Sequence, residues 1–390
     1  MTITSDRIRT WLCESALPLW GSEGLDHEEG GFFDNLSISG ASIRNAPKRL
    51  RVQARQIYVF SHAHVLGWKP KGAARAPLEA AENGFEFITN NFWRENSGGF
   101  VYSTDRSGRI HEPRVELYEQ AFVLFACAWY YRASRDKKAI EISENVLKFI
   151  DSSLIDKNKG GYFENLSHDL PRRQNPHMHL LEALLALYES IGNEQYLLRA
   201  KNIINLFYGH FYNKETGSVG EFFDAAWKPA EGTAGQIVEP GHLYEWIWLL
   251  NKYSSLTSVN CNEDINLIYY FAEKHGVDSK PVPTRGLIND SVLTRGTELD
   301  DNKRLWCQTE AIKAHIALLE YHNNIEVYSR LENLLDYIFK FYIPTDKGVW
   351  HEHLDQDGLL LRENVPATSF YHIFLALTEV LRVRDRITTL

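Results

Sequence analysis

Cysteine is scarce in this sequence, and its few cysteines are not arranged as a disulfide or metal framework. The chain has 4 cysteines in 390 residues, and no two of them show a Cys-x-x-Cys spacing. Widely separated cysteines are typical of reduced, mostly buried thiols. We therefore predict a cytoplasmic protein, in line with the lack of a signal-peptide stretch at residues 1–7.

Long apolar runs and an excess of basic residues are also missing. No window reaches about 18 uninterrupted apolar residues, so a membrane-spanning helix is not expected. The formal net charge of −9 argues against a nucleic-acid partner, which would need a basic face. Because low-complexity tails and Pro/Ser-rich linkers are absent too, we predict a single domain over residues 1–390.

What the chain does contain is a glycine-led segment that recurs six times. In each segment, glycine leads into aromatic or β-branched residues. The repeat positions are Gly31, Gly99, Gly161, Gly220, Gly286 and Gly348, at steps of 68, 62, 59, 66 and 62 residues. A repeat of this length that fills the whole chain indicates a repeat architecture.

Two helical patterns lie between successive glycine segments, with loop residues between them. Apolar residues recur at helical spacing over 117–128, and the pattern resumes over 139–150 after a break at Arg135 and Asp136. The same arrangement of two helices recurs along the chain. With terminal helices near 6–18 and 366–385, the count reaches about twelve.

The glycine segments themselves are typical of short β-hairpins. Residues 101–109 and 350–358 alternate and end in turn residues. Six helix pairs joined by such hairpins predict an all-α fold, a closed (α/α)6 barrel. An open solenoid is the alternative layout, but it would need polar capping repeats, and neither end of the chain is more polar than the middle.

A polar or aromatic side chain recurs near the start of the helix that follows each glycine segment. These residues are Arg55, Tyr118, His179, His242, Trp306 and His372, which lie 24, 19, 18, 22, 20 and 24 residues after the repeat glycines. Equivalent positions in a closed repeat converge on one end of the barrel, so they predict a pocket. Each residue alone also fits a structural role. Such roles do not explain why all six residues lie at the same position of the repeat.

The residue types in this pocket favour proton transfer on a sugar. Three histidines titrate close to neutral pH, while arginine, tyrosine, tryptophan and Asn175 suit the binding of a neutral polyol. Three histidines and Glu245 could also bind a metal. Because the histidines lie on three helices and none belongs to a His-x-x-x-His pair, we predict no metal.

At these residues the chain resembles the N-acylglucosamine 2-epimerase superfamily, which includes cellobiose 2-epimerases and mannose isomerases. The similar segments follow the family's order along nearly the whole chain. They are Arg51-Val-Gln-Ala-Arg55, Leu117-Tyr-Glu-Gln-Ala-Phe122, residues 175–183, Glu239-Pro-Gly-His242 with Glu245-Trp246, residues 306–311, and Tyr371-His372. The resemblance implies an (α/α)6 barrel, in agreement with the repeat count.

The resemblance also implies sugar isomerisation without a metal or a cofactor. His242 and His372 would form the acid/base pair that opens the sugar ring and moves the C2 proton through a cis-enediol. His179 and Arg55 would hold the C1 and C2 oxygens, and Glu245 would orient His242. The candidates for substrate binding are Tyr118, Asn175, Trp306, Gln308 and Glu310. Which histidine takes the C2 proton stays open at this point.

The residues just before the last histidine separate two branches of this superfamily. Its 2-epimerases tend to carry an aromatic residue and a lysine there, whereas residues 366–371 contain no lysine. The segment looks more like that of the mannose isomerases, which have a threonine and a tyrosine before the histidine. We therefore expect a monosaccharide substrate and interconversion of D-mannose and D-fructose.

Other functions remain open from the sequence. A sugar 2-epimerase would act on N-acylglucosamine, N-acylmannosamine or cellobiose-type substrates. A glycoside hydrolase would need two carboxylates, for which Glu245 and Glu310 are the candidates. A sugar sensor would bind without turnover. A sugar phosphate is also a possible substrate, because scattered arginines such as Arg114, Arg172 and Arg173 could bind its phosphate group.

For the oligomeric state, we expect a monomer or a homodimer.

Overall fold

Twelve helices form six pairs over the residues that the computed structural model describes, which are 5–72, 74–94, 98–322 and 326–387. The inner helices are Leu50–Val65, Leu117–Ser134, Gln174–Ile191, Pro240–Thr257, Leu305–His322 and Phe370–Ile387. The outer helices are Ser5–Thr10 continuing through Trp11–Ala16 and Leu17–Trp20, then Pro77–Asn91, Lys138–Phe149, Glu194–Leu206, Asn262–Phe271 and Val327–Tyr337. Four outer helices end in a π-helical turn, at Ile150–Leu154, Phe207–Phe211, Ala272–Gly276 and Ile338–Tyr342.

The two helix sets differ in sequence because they differ in burial. In the inner helix Leu117–Ser134, every residue from 119 to 128 is buried, so apolar residues surround the helix. In its outer partner Lys138–Phe149, burial is confined to one stripe that includes Ala139, Ser143 and Val146. Each inner helix packs on the next, and the last packs on the first.

Short strands link each repeat to the next and close the ring. Residues just before an inner helix pair with the following hairpin; for example, Lys48–Arg49 pairs antiparallel with Ser103–Thr104. The last such pair joins Asn35–Ser37 to Asn364–Pro366, so the first repeat meets the last. This closure confirms the predicted (α/α)6 barrel over the open solenoid. The strands are Asn35–Ser37, Lys48–Arg49, Trp93–Arg94, Gly99–Phe100, Ser103–Thr104, Ile110–Glu112, Arg172–Arg173, Tyr212–Asn213, Ser218–Val219, Phe222–Phe223, Ile237–Val238, Ser291–Leu293, Glu298–Asp300, Lys303–Arg304, His353–Leu354 and Asn364–Pro366.

A glutamine in the inner helix anchors several of the glycine segments. Gln53 donates to the carbonyl of Phe32 and accepts from its N–H, each at 2.7 Å. Gly31, the residue directly before Phe32, has a φ of +70°. A Cβ at this position would lie 2.6 Å from the Phe87 ring. Glycine is therefore required where the segment passes so close to the helices. The same clamp is formed by Gln120 on Phe100 and by Gln308 on Ile288.

The predicted hairpins are present in two forms. The segment 101–109 contributes to a hairpin in which Ser103–Thr104 pairs with Ile110–Glu112. The segment 350–358 turns more tightly, and only the bridge from Leu354 to Leu360 joins its two arms. All four cysteines are free. Among the described helices, none combines the length and the apolar character needed to cross a membrane.

Candidate active site

The first two turns of the inner helices surround a cavity of about 520 Å³ at one end of the barrel. All six side chains that share a phase in the repeat line it, together with Asn175 and Glu245. The full lining is Asn35, Arg49, Arg55, Tyr118, Asn175, His179, Glu239, His242, Glu245, Arg304, Trp306, Glu352, Arg362, Asn364, Pro366, Thr368, Ser369 and His372. The six equivalent repeat positions thus meet at one cavity, as a closed ring requires.

His242 is held by a carboxylate from the neighbouring glycine segment. Its Nδ1 donates to both oxygens of Glu221, each at 3.0 Å, and Glu239 lies 3.7 Å away. Burial alone would lower the pKa of His242, but the charges of Glu221 and Glu239 raise it to about 9. His242 is therefore a charged imidazolium at neutral pH, with Nε2–H left to face the cavity.

Glu245 does not orient the imidazole of His242, contrary to the expectation from the sequence. Glu221 occupies that position, and Glu245 instead places a carboxylate oxygen 3.7 Å from Nδ1 of His179. Burial raises the pKa of Glu245 well above its ordinary value. A sequence signal for Glu221 existed, because the residue after the repeat glycine is apolar or aromatic in the five other segments.

His372 has the opposite charge state. Its Nδ1 donates to Glu310 at 2.7 Å. Burial lowers the pKa of His372 well below its ordinary value, and the nearby cations Arg55 and Lys313 lower it further. The ring is therefore neutral at neutral pH, and one of its two nitrogens carries no proton and can accept one.

Trp306 lies between these two histidines. Its ring centroid is 4.9 Å from that of His242 and 5.9 Å from that of His372. An indole face next to two imidazoles is the kind of apolar surface that can pack against the C–H face of a sugar. Asn175 lines the same cavity, and its buried Oδ1 has no partner among the described residues.

Arg55 and His179 are fixed on the other side of the cavity. Arg55 donates to the Tyr118 hydroxyl at 3.0 Å and to the Thr368 carbonyl at 3.1 Å. Nδ1 of His179 lies 3.1 Å from Glu182, and burial lowers the pKa of His179 to about 4. The sequence marked the threonine of residues 366–371 as a feature of the mannose isomerase branch, but it did not identify Thr368 as the partner of Arg55. It gave no signal for Glu182, which contacts His179 from the same helix and lies outside the cavity lining.

Two residues predicted to bind substrate lie outside the lining. Gln308 accepts from the N–H of Ile288 at 2.8 Å and donates to its carbonyl at 2.9 Å. It repeats the Gln53 clamp and belongs to the scaffold. Glu310 is fully buried behind His372 and orients that imidazole. Neither side chain is therefore among those that line the cavity, contrary to the expected role in substrate binding.

Comparison with known proteins decides the family. The model of the N-acylglucosamine 2-epimerase (GlcNAc 2-epimerase) family matches residues 31–376. The chain belongs to this family. A mannose-6-phosphate isomerase of Rhizobium meliloti (strain 1021) is 32% identical over 379 residues, covering 95% of each chain.

Further relatives of this family member differ in their named activities. A D-mannose isomerase of Marinomonas mediterranea is 24% identical over 378 residues, covering 91% of each chain. The structure of a cellobiose 2-epimerase from Bacillus thermoamylovorans B4167 superposes with a TM-score of 0.85 at 22% identity, covering 98% of this chain and all of the other. The chain is thus a sugar isomerase or epimerase of the N-acylglucosamine 2-epimerase family.

Among the residues that the structure describes, two groups of side chains have the ligand types of a cation site. They are His179, Glu182 and Glu245, and Glu221, Glu239 and His242, and the ligand atoms of each group lie within 4.8 Å of one another. In both groups the histidine Nδ1 faces a carboxylate. The same geometry serves to set the charge and the orientation of an imidazole.

Proposed function

We propose that the protein interconverts D-mannose and D-fructose through a cis-enediol. The observation that carries this proposal is that two histidines next to Trp306 have different partners: Glu221 and Glu239 face His242, whereas Glu310 faces His372. At neutral pH His242 is charged and His372 is neutral. Isomerisation needs an acid and a base at the same moment, and this pair supplies both at one pH.

In the proposed reaction, Nε2 of His372 removes the C2 proton of the open-chain aldose while His242 protonates O1. In the cis-enediol, O1 and O2 lie on the same side of the double bond. The now neutral His242 can therefore accept the proton of O2. His372 returns its proton to C1, which gives the 2-ketose and restores both histidines.

Arg55 and His179 hold the two oxygens in this proposal. Arg55 is oriented before substrate arrives, because Tyr118 and Thr368 accept its N–H groups. A fixed guanidinium beside O1 and O2 stabilises the negative charge that develops as the C2 proton leaves. His179 is neutral at neutral pH, so it contributes a hydrogen bond rather than a second charge.

A sugar 2-epimerase is the alternative, and it shares the first half of this reaction. The proton would return to the opposite face of C2 instead of to C1. The absence of a lysine in residues 366–371 favours the isomerase. Hydrolysis is less favoured, because Glu310 lies behind His372 rather than in the lining, so the two expected carboxylates do not face one substrate.

A sugar phosphate is a second candidate substrate, supported by three further arginines in the cavity lining. Arg49 and Arg304 each form an ion pair, with Asp34 and Asp290 respectively. Arg362 is exposed at the cavity. These guanidinium groups suit a phosphate at the far end of the sugar, and one relative is named a mannose-6-phosphate isomerase.

The test is product identification by NMR with EDTA-treated protein. D-Mannose, D-mannose 6-phosphate, N-acetylmannosamine and cellobiose are each incubated with the protein. We expect D-fructose from D-mannose, and none with the His372→Asn variant. The mannose isomerase proposal fails if D-mannose is untouched while cellobiose or N-acetylmannosamine is epimerised at C2. If Arg362→Ala impairs turnover of the phosphorylated sugar alone, the phosphate is the preferred substrate feature.

A further inference from the structure

A buried ammonium group lies behind the cavity, and the reaction proposed above does not use it. Lys313, on the inner helix Leu305–His322, is 0% exposed. Its Nζ lies 2.6 Å from Oε2 of Glu310. The other oxygen of Glu310 accepts from Nδ1 of His372. A chain of contacts therefore runs from Lys313 through Glu310 to the neutral histidine.

Lys313 is surrounded by carboxylates from three inner helices. Glu310 lies on its own helix, Glu245 on Pro240–Thr257 and Glu182 on Gln174–Ile191. Burial alone would lower the pKa of Lys313, but these three carboxylates raise it above its ordinary value. The Trp248 and Tyr371 rings close the pocket at 5.8 and 5.9 Å from Nζ. The ammonium group of Lys313 is thus charged at neutral pH.

The charge of Lys313 decides what Glu310 can do. A fully buried carboxylate without a cation tends to take up a proton. Burial raises the pKa of Glu310, and Lys313 is the group that opposes this effect most strongly. A protonated Glu310 would donate its O–H to Nδ1 of His372. The ring proton would then sit on Nε2, and no lone pair would face the substrate.

We propose that Lys313 is a positioning residue that keeps Glu310 ionised and so holds His372 in the tautomer with its proton on Nδ1. Nε2 of His372 is then free to accept a proton. The link to turnover rests on the proposed function, whereas the tautomer itself does not. The other charged or titratable groups that face His372 are Arg55, His179 and Glu182, and none of them contacts Glu310 as closely as Lys313 does.

The experiment measures the tautomer directly and needs no substrate. Protein labelled with ¹⁵N in its histidine rings is examined by NMR from pH 5 to pH 9, and His372 is assigned by the signal that His372→Asn lacks. In the unaltered protein we expect the proton on Nδ1 and a bare Nε2 throughout. In Lys313→Met we expect the proton on Nε2, or a ring that titrates in this range. Lys313→Arg should retain the original tautomer.

A matched control removes another buried lysine that is paired with a carboxylate. Lys48 is 1% exposed and lies 3.0 Å from Asp26, which Arg106 also binds. Lys48→Met should therefore cost stability without changing the His372 tautomer. If Lys313→Met does not fold, Lys313→Gln removes the charge but keeps a donor for Glu310. A bare Nε2 that persists in Lys313→Met or Lys313→Gln overturns the proposal.

Turnover provides the second measurement. Loss of the Lys313 charge should move the acidic limb of kcat/KM upward by about one pH unit or more, because His372 becomes easier to protonate. An acidic limb that does not move would count against the proposal. If no sugar is isomerised but the tautomer changes as expected, the proposed function fails while the role of Lys313 stands.

Discussion

Replacing Glu221 by glutamine tests whether one carboxylate keeps His242 charged. Both oxygens of Glu221 lie 3.0 Å from Nδ1 of His242, and both side chains are buried. Burial opposes the charged ring, yet Glu221 and Glu239 raise the pKa of His242 to about 9 from an ordinary value of 6.5. The difference of about 2.5 units corresponds to roughly 3 kcal/mol in favour of the imidazolium.

The variant Glu221→Gln removes the carboxylate that raises the pKa of His242 most. It keeps an oxygen that can accept a hydrogen bond from Nδ1–H. We expect the pKa of His242 to fall by about 1–3 units. Because His242 must carry a proton to protonate O1, activity is lost as pH rises through its pKa. The basic limb of kcat/KM should therefore move from near pH 9 to about pH 7, with about tenfold lower activity at pH 8.

The assay is kcat/KM for D-mannose from pH 5.5 to pH 10, with thermal unfolding as the check on the fold. Glu239→Gln serves as the control, since that carboxylate lies farther away, at 3.7 Å from Nδ1. It should shift the same limb in the same direction by a smaller amount. A basic limb that stays near pH 9 in correctly folded Glu221→Gln would refute the reasoning.

Three further predictions follow from the site. Gln308→Ala should destabilise the fold by about 2–4 kcal/mol in chemical denaturation, because two buried backbone groups of Ile288 lose their partner; a raised KM at unchanged stability would contradict this. His372→Asn and His242→Asn should each reduce kcat at least about 100-fold with normal circular dichroism; near-normal turnover in either would exclude the two-histidine mechanism. Protein dialysed against EDTA should keep its activity. If activity is lost and returns only when a divalent cation is added, one of the two groups of histidine and carboxylates holds a metal.

The regular part of the fold was accessible from the sequence. Glycine segments at a near-constant step predicted six helix pairs, and residues in one phase of the repeat predicted the cavity that Arg55, Tyr118 and His372 line. This worked because a closed ring places equivalent positions at equivalent heights around its axis. The residue types at those positions were enough to indicate proton transfer on a sugar.

The scaffold role of Gln308 was also within reach of the sequence. Gln53 and Gln120 occupy nearly the same distance from their repeat glycines, and all three clamp the backbone beside that glycine. A polar residue that stays the same in several repeats holds the scaffold. A residue that changes from repeat to repeat at the cavity is a better candidate for chemistry.

The partners of the histidines required the tertiary structure. Glu221 reaches His242 from the preceding hairpin, Glu310 reaches His372 across 62 residues, and Lys313 stabilises Glu310 from the same buried layer. Periodicity gives the height of a side chain on the barrel axis, but not which neighbour it turns toward. The sequence alone thus determined the barrel and the repeat positions that line the cavity, and it favoured proton transfer on a sugar over hydrolysis or binding without turnover. Packing decided which histidine is charged, because a buried imidazole takes its protonation state from the carboxylates and cations that the fold brings within a few ångströms of it.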